Sequence, residues 1–185
     1  MSEVEDLLKA YESFVRLPWD PSLSGQERVW FVVYDPAQER RIRLRLGEFE
    51  NITKNAGHTW RSLDLTDSFA QWMSQHKYRQ AYFEEPENLN PALKAFTTAV
   101  AAQIKAALTA SDVDENTVVA LSGLASLFGL TRVSVTLEKV MPHLRGRLLG
   151  FFPGQHDGSN YRLLDARDGW NYLAVPITAK KWGVD

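Results

Sequence analysis

The sequence predicts an α/β fold: a mainly parallel sheet flanked by helices, with an antiparallel strand pair towards the C-terminus. Three observations predict it. Continuous apolar runs at 29–34 (VWFVVY), 117–123 (TVVALSG) and 147–154 (RLLGFFPG) have the length and the β-branched, aromatic content of strands covered on both faces. Between them lie stretches whose apolar residues recur at three- and four-residue spacing, as crossover helices require. Two further runs, 161–165 and 172–177, flank the turn signal Asp168-Gly169 and read as a hairpin.

Leu7, Leu8, Tyr11, Phe14 and Val15 share a helical face, so a helix is expected over 3–16, ended by Pro18 and Pro21. The first strand, 29–34, stops at Asp35-Pro36. Over 37–56 two periods compete, Ile42, Leu44 and Leu46 alternating as in a strand while Ile42, Leu46, Phe49 and Thr53 keep a helical spacing. So long a stretch without a turn signal exceeds one strand, and helix is the reading. HTWRSLDL (58–65) is a second strand, followed by a short helix with Phe69, Trp72 and Met73, capped by Asp67 or Ser68. Residues 77–91, with Tyr78, Tyr82, Phe83 and two prolines, are expected to be a surface loop. From Pro91 to about Ala110, Leu93, Phe96, Val100, Ile104 and Leu108 form one apolar stripe of a helix. After a small-residue connection at 124–129, Val133, Leu137, Val140 and Leu144 step as another helix face. The strand at 147–154 is expected to end in a Pro153-Gly154 turn. The whole, 1–185, is expected to be one domain with its core over 28–178. In such sheets right-handed crossovers join the strands, and the functional crevice lies at their carboxyl ends.

Composition excludes several functions. The chain has 185 residues, 44% apolar and 24% charged, which suits a folded domain. With no cysteine it has no disulfide, thiolate zinc site or cysteine nucleophile. Its net charge of −2 lacks the basic excess of a protein that lives on phosphate contacts, so direct DNA binding is not expected. The start, MSEVEDLLKAYESF, is acidic and amphipathic, unlike a secretory signal, and no run approaches the roughly 20 apolar residues of a membrane span. A soluble cytoplasmic protein with no membrane partner is expected.

At the strand ends stand Asp35, Asp64 and Ser122. If their strands are neighbours, Asp35 and Asp64, with Glu39, could face one crevice and hold Mg²⁺, which favours a few carboxylates plus water and phosphate. Capping the turn that follows is the commoner role of such aspartates and is preferred. No Gly-Lys pair exists, which excludes a P-loop, and the glycines of 122–129 have the wrong spacing for a dinucleotide fingerprint. His58, His76, His143 and His156 form no H-E-x-x-H pattern, and there is no G-x-S-x-G elbow. No cofactor and no metal is expected. Arg40, Arg41, Arg43 and Arg45 could grip phosphate or an acidic partner, but a solvated helix face balanced by Glu39, Glu48 and Glu50 is preferred. Of Trp19, Trp30, Trp60, Trp72, Trp170 and Trp182 most should be core, while those in loops or at the C-terminus could anchor a partner.

Four stretches, VWFVVYDPAQE (29–39), SLDLTDSFAQWM (62–73), VVALSGLASLFGLTRVS (118–134) and LLGFFPGQHDGSNYRLLDARDGWNYLAVPI (148–177), together resemble the BrxB family of BREX bacteriophage-exclusion systems. The most telling pieces are Phe152-Pro153-Gly154 and the stretch with Leu127, Phe128 and Arg132. Two departures stand out: Gly129 where the family often has proline, and Tyr172-Leu173-Ala174 where it often has a Tyr-Arg-Ala-like run. The resemblance implies an ATPase-like core lacking a P-loop, with no catalytic residue. It implies a non-catalytic interaction or scaffold subunit that docks a PglZ-like protein of the alkaline-phosphatase family and other BREX subunits. The candidate crevice is then Asp35, Glu39, Asp64, Ser122 and Arg132, and the candidate partner-binding residues are Arg40, Arg41, Tyr78, Tyr82, Phe83 and Trp170. The alternative is a metal-dependent nucleotide or nucleic-acid enzyme using Asp35, Glu39 and Asp64.

Overall fold

The computed structural model describes residues 2–166 and 169–179. Its strands are β1 (Val29–Tyr34), β2 (Thr59–Asp64), β3 (Thr117–Ser122), β4 (Arg147–Asp157), β5 (Asn160–Leu163), β6 (Trp170–Asn171) and β7 (Val175–Ile177). The helices are α1 (Glu3–Val15), α2 (Glu39–Leu44), α3 (Leu46–Asn55), α4 (Ser68–Ser74), α5 (Arg79–Glu84), α6 (Leu93–Leu108) and α7 (Val133–Val140). The parallel strands run in the order β2-β3-β4-β1-β7. The result is a mixed α/β fold with helices flanking a largely parallel sheet and a small antiparallel pair.

The crossover from β1 to β2 passes α2 and α3, and α1 packs beside α3; the returning crossovers pass α4 to α6 and then α7. Steps in opposite directions across a sheet place right-handed crossovers on opposite faces. One face therefore buries Leu7, Tyr11, Trp30, Phe49, Leu149 and Phe151, and the other Phe31, Phe96, Ile104, Val119, Leu137 and Phe152. α1 begins with a capping box: Glu5 N donates to Ser2 Oγ (3.4 Å) and Ser2 N to the Glu5 carboxylate (3.1 Å). Thr53 Oγ1 donates to the Phe49 carbonyl (2.8 Å), so the buried Tyr11 hydroxyl must be the donor in its 2.6 Å bond to Thr53 Oγ1, tying α1 to α3.

At the centre, Phe31 of β1 stands opposite Gly150 of β4. A Cβ on Gly150 would lie 2.7 Å from the Phe31 ring. That ring cannot swing clear, because Phe152, Tyr161, Trp170 and Tyr172 surround it at centroid distances of 5.1, 5.0, 5.9 and 6.2 Å. The last three come from the C-terminal segment, which closes this part of the face with aromatic rings.

Several expectations need correction. The helix over 37–56 is two, α2 and α3, separated at Arg45. The stretch 77–91 is not a loop: it holds α5 and a 3-10 segment, Pro86–Ala92. It lacks a periodic apolar face, since α5 buries none of its residues, and that removed the signal. Asp67 makes no side-chain cap to α4, and Ser68 Oγ instead donates to Gln103 (2.8 Å). Pro153-Gly154 is no turn: β4 runs through it to Asp157. Gly154 is required there because a Cβ would lie 2.1 Å from the Arg162 carbonyl of β5. The antiparallel partners of β5 are β4 and β6, whereas 175–177 joins the parallel sheet beside β1. Asp168, half of the expected turn, lies outside the described residues.

Gly150→Ala is expected to destabilise the protein by about 1–3 kcal/mol, the usual cost of overpacking a rigid core. Urea titration checks this, and the midpoint should fall without a change of slope.

Candidate functional site

The carboxyl ends of β1 and β2 are joined by one side chain, Arg43 of α2. Its Nε donates to Glu39 Oε1 (2.9 Å), one turn earlier, and its Nη1 to Asp64 Oδ2 (3.3 Å). Nη2 donates to Thr66 Oγ1. Thr66 in turn donates to Asp64 Oδ1 through its backbone N–H (3.0 Å) and its hydroxyl (2.5 Å). The buried Tyr34 hydroxyl donates to Glu39 Oε2 (2.5 Å). Burial, and then the hydrogen bond and charge of Glu39, push this phenol far up, so it stays a donor. Burial works to raise the Asp64 carboxyl, but the Thr66 and Arg43 hydrogen bonds outweigh it and hold Asp64 below its ordinary value.

Glu39 and Asp64 are thus brought together, through a guanidinium. Asp35 is not part of the group. It is exposed, its Oδ1 accepts from Ala37 N (2.9 Å) as a cap of the 3-10 turn Pro36–Gln38, and its own N–H donates to Glu3 (3.1 Å). β1 and β2 are not neighbours, because β3 and β4 lie between them. Three strand spacings, about 14 Å, separate their axes. Ser122 stands opposite Asp64 in register, and both line a small cavity of about 170 Å³ under α3. Gly123 follows with φ +77°, and a Cβ there would lie 2.6 Å from Thr66 N, so the ends of β2 and β3 close on each other.

Arg132 lies elsewhere, exposed at the start of α7, on a groove of about 500 Å³. Phe128, Gly129 and Val133 form one side of its lining, and Leu163 and Trp170 also line it. Arg132 and Trp170, assigned to different roles by sequence, meet here. Gly129 has φ +74°, which proline's ring forbids, so a proline at this position requires a different backbone.

The arginine cluster divides. Arg43 and Arg45 pair with carboxylates, Arg45 with Glu48, whereas Arg40 and Arg41 are exposed and Arg41 Nη1 donates to Gln38 (3.3 Å). Tyr78 and Phe83 are 53% and 67% exposed, against the half-buried Tyr82, whose ring lies 5.1 Å from that of His76. Trp182 lies outside the described residues. Sequence reasoning missed Arg43 as the bridge, and Tyr34 and Thr66 with it. The i, i+4 spacing of Glu39 and Arg43 was the available signal.

Comparison with protein-family models, with curated proteins and with solved structures gives no match. Among the described residues no helix is long and apolar enough to cross a membrane. Among them, too, no three His, Asp or Glu side chains are grouped to hold a metal ion.

Arg43→Met should cost about 1 kcal/mol, since the site is half-exposed and screened. Asp64 has a lowered carboxyl, so its stabilisation is present above the ordinary value of 3.8 and is lost as pH falls through the lower folded value. Denaturant melts at neutral and acid pH should therefore show the gap between wild type and Asp64→Asn closing on the acid side.

Proposed function

We propose that the chain is a non-catalytic interaction subunit of a BREX-type phage-defence system, acting in the cytoplasm by docking a PglZ-like protein. One contrast carries the reading: the strand-end carboxylates are engaged within the chain, while large aromatic side chains stand exposed. Glu39 and Asp64 share Arg43, and Asp35 caps its own turn. Tyr78 and Phe83 stand out on and beside α5, and Phe128, 41% exposed, stands on the rim of the groove. Exposed aromatics of this kind are the residues that anchor interfaces.

The ATPase-like part of the reading is supported by the parallel order, in which β4 separates β1 from β3. The turn after β1 supports the loss of nucleotide binding. A phosphate loop aims free backbone N–H groups at its ligand. Here Ala37 N–H is taken by the Asp35 side chain and Gln38 N–H by the Asp35 carbonyl (2.8 Å). For the metal-dependent alternative, a divalent ion would have to displace Arg43 from Glu39 and Asp64 and draw in the distant Asp35.

Co-expression with the subunits encoded beside it tests the proposal. Wild type should recover the PglZ-like subunit in stoichiometric amount, and recovery of the chain alone would sink the reading. Tyr78→Ser with Phe83→Ser should weaken that complex at least about tenfold, as loss of two interface aromatics does, while leaving the melting temperature within about 2 °C. Phage protection should survive Asp35→Ala, and its loss would favour the enzyme.

A further inference from the structure

A second charged cluster lies at the amino ends of the parallel strands, opposite the carboxyl-end network. Arg147, the first residue of β4, is only 4% exposed. Its guanidinium carbon sits 4.8 Å from the Trp19 ring centre and 6.0 Å from that of Trp30. Its hydrogen bonds go to backbone carbonyls, Nη2 to Asp20 (3.2 Å) and Nη1 to Gly146 (3.4 Å). Among the described residues Arg147 forms no ion pair with a carboxylate.

Arg28, immediately before β1, adds a second positive charge that acts on Arg147. It too is held by a carbonyl, Nη1 donating to Arg145 O (3.0 Å). Asp20 carries the carboxylate that acts on Arg147 from this side, but its Oδ1 accepts from the Ser22 N–H (2.8 Å) and hydroxyl (2.6 Å). Among the described residues, two buried donors in the cluster have no acceptor: Trp19 Nε1 and Arg28 Nε. The indole is fixed in place, stacked on His58 at 3.7 Å and 7°, and His58 Nδ1 is bonded to Asn116 Oδ1 (2.5 Å).

Buried donors are almost always satisfied, and a buried cation is costly unless its charge is met. Among the described residues the Asp20 carboxylate acts on Arg147 without an ion pair, and two guanidiniums left unbridged in this way, with two orphaned N–H groups, are the complement of an oxyanion. Arginine's fork suits phosphate, and donors on three residues exceed what the two oxygens of a carboxylate serve well. Arg28 is half-buried, so the cluster meets solvent on that side.

We propose that Trp19, Arg28 and Arg147 form a binding site for an oxyanion, phosphate in the first place, at the amino ends of the strands. The site is independent of the interaction surface, and bound anion would lock the segment carrying Trp19 and Asp20 onto β4.

Indole N–H resonances of the ¹⁵N-labelled full chain provide the test, with Trp19→Phe identifying the Trp19 signal. Sodium phosphate is titrated at neutral pH, with sodium chloride holding ionic strength constant. The Trp19 resonance should shift saturably and more than any other indole, and Arg28→Met should weaken the response at least tenfold. Arg132→Met, at the far end of the sheet, should leave it unchanged. Sodium acetate separates phosphate selectivity from general oxyanion binding: a response to phosphate alone supports the first, and a response to both supports the second. A Trp19 signal that neither anion moves, or that responds equally in wild type and Arg28→Met, overturns the proposal. Arg28→Met is the decisive variant because Arg147→Met could unfold the chain.

Discussion

Everything in this molecule is built around the contact of Phe31 with the bare backbone of Gly150. β1 and β4 are the inner pair of the parallel sheet, with β3 beyond one and β7 beyond the other. Because position 150 has no side chain, the Phe31 ring lies close against β4 and becomes the hub on which Phe152, Tyr161, Trp170 and Tyr172 pack. That packing ties the C-terminal segment back to the sheet, although β5 and β6 are short. The Tyr161 hydroxyl completes the attachment by donating to the Ala174 carbonyl (2.6 Å), which leads the chain towards β7. An aromatic residue at 31, a glycine at 150 and an aromatic-rich terminus therefore form one constraint.

From this frame the two ends of the sheet acquire different electrostatic character. At the carboxyl ends one cation serves two anions, Arg43 lying between Glu39 and Asp64, with each carboxylate also held by a hydroxyl. Such a network holds the loops after β1 and β2 in register. At the amino ends two guanidiniums, Arg28 and Arg147, lie beside the Trp19 indole, and neither forms an ion pair among the described residues. The usual crevice of an α/β sheet lies at the carboxyl ends, and here Asp64 and Ser122 line a small cavity there while Arg43 holds the Asp64 carboxylate.

Much of the fold was legible in the sequence. The fully buried strands β1 and β3 and the stripe of α6 were fixed by local patterning, since burial on both faces or on one helical face leaves a plain signature. Pairing was not legible. Whether Asp35 and Asp64 share a crevice depends on strand order, and nothing local records that two strands intervene between β1 and β2. Pro153-Gly154 misled for a physical reason: a dipeptide that usually marks a turn was selected here for close backbone approach. α5 escaped detection because it buries nothing. For the site, the sequence offers the candidate residues only singly: Arg43 is there one of four like charges, whereas its meaning lies in contacts with Glu39, Asp64 and Thr66. The groove joining Arg132 to Trp170 depends on a tertiary contact between distant segments, and only its separate walls were visible beforehand.

The proposed docking role places the working surface on the exposed aromatics and not at the strand ends. Hydrogen–deuterium exchange, measured on the chain alone and with the proposed PglZ-like partner, tests it most directly. The account predicts slowed exchange across α5 and the groove around Phe128 and Arg132, with no change in the turn after β1. Protection confined to Asp35–Arg43, or no protection anywhere, would contradict it.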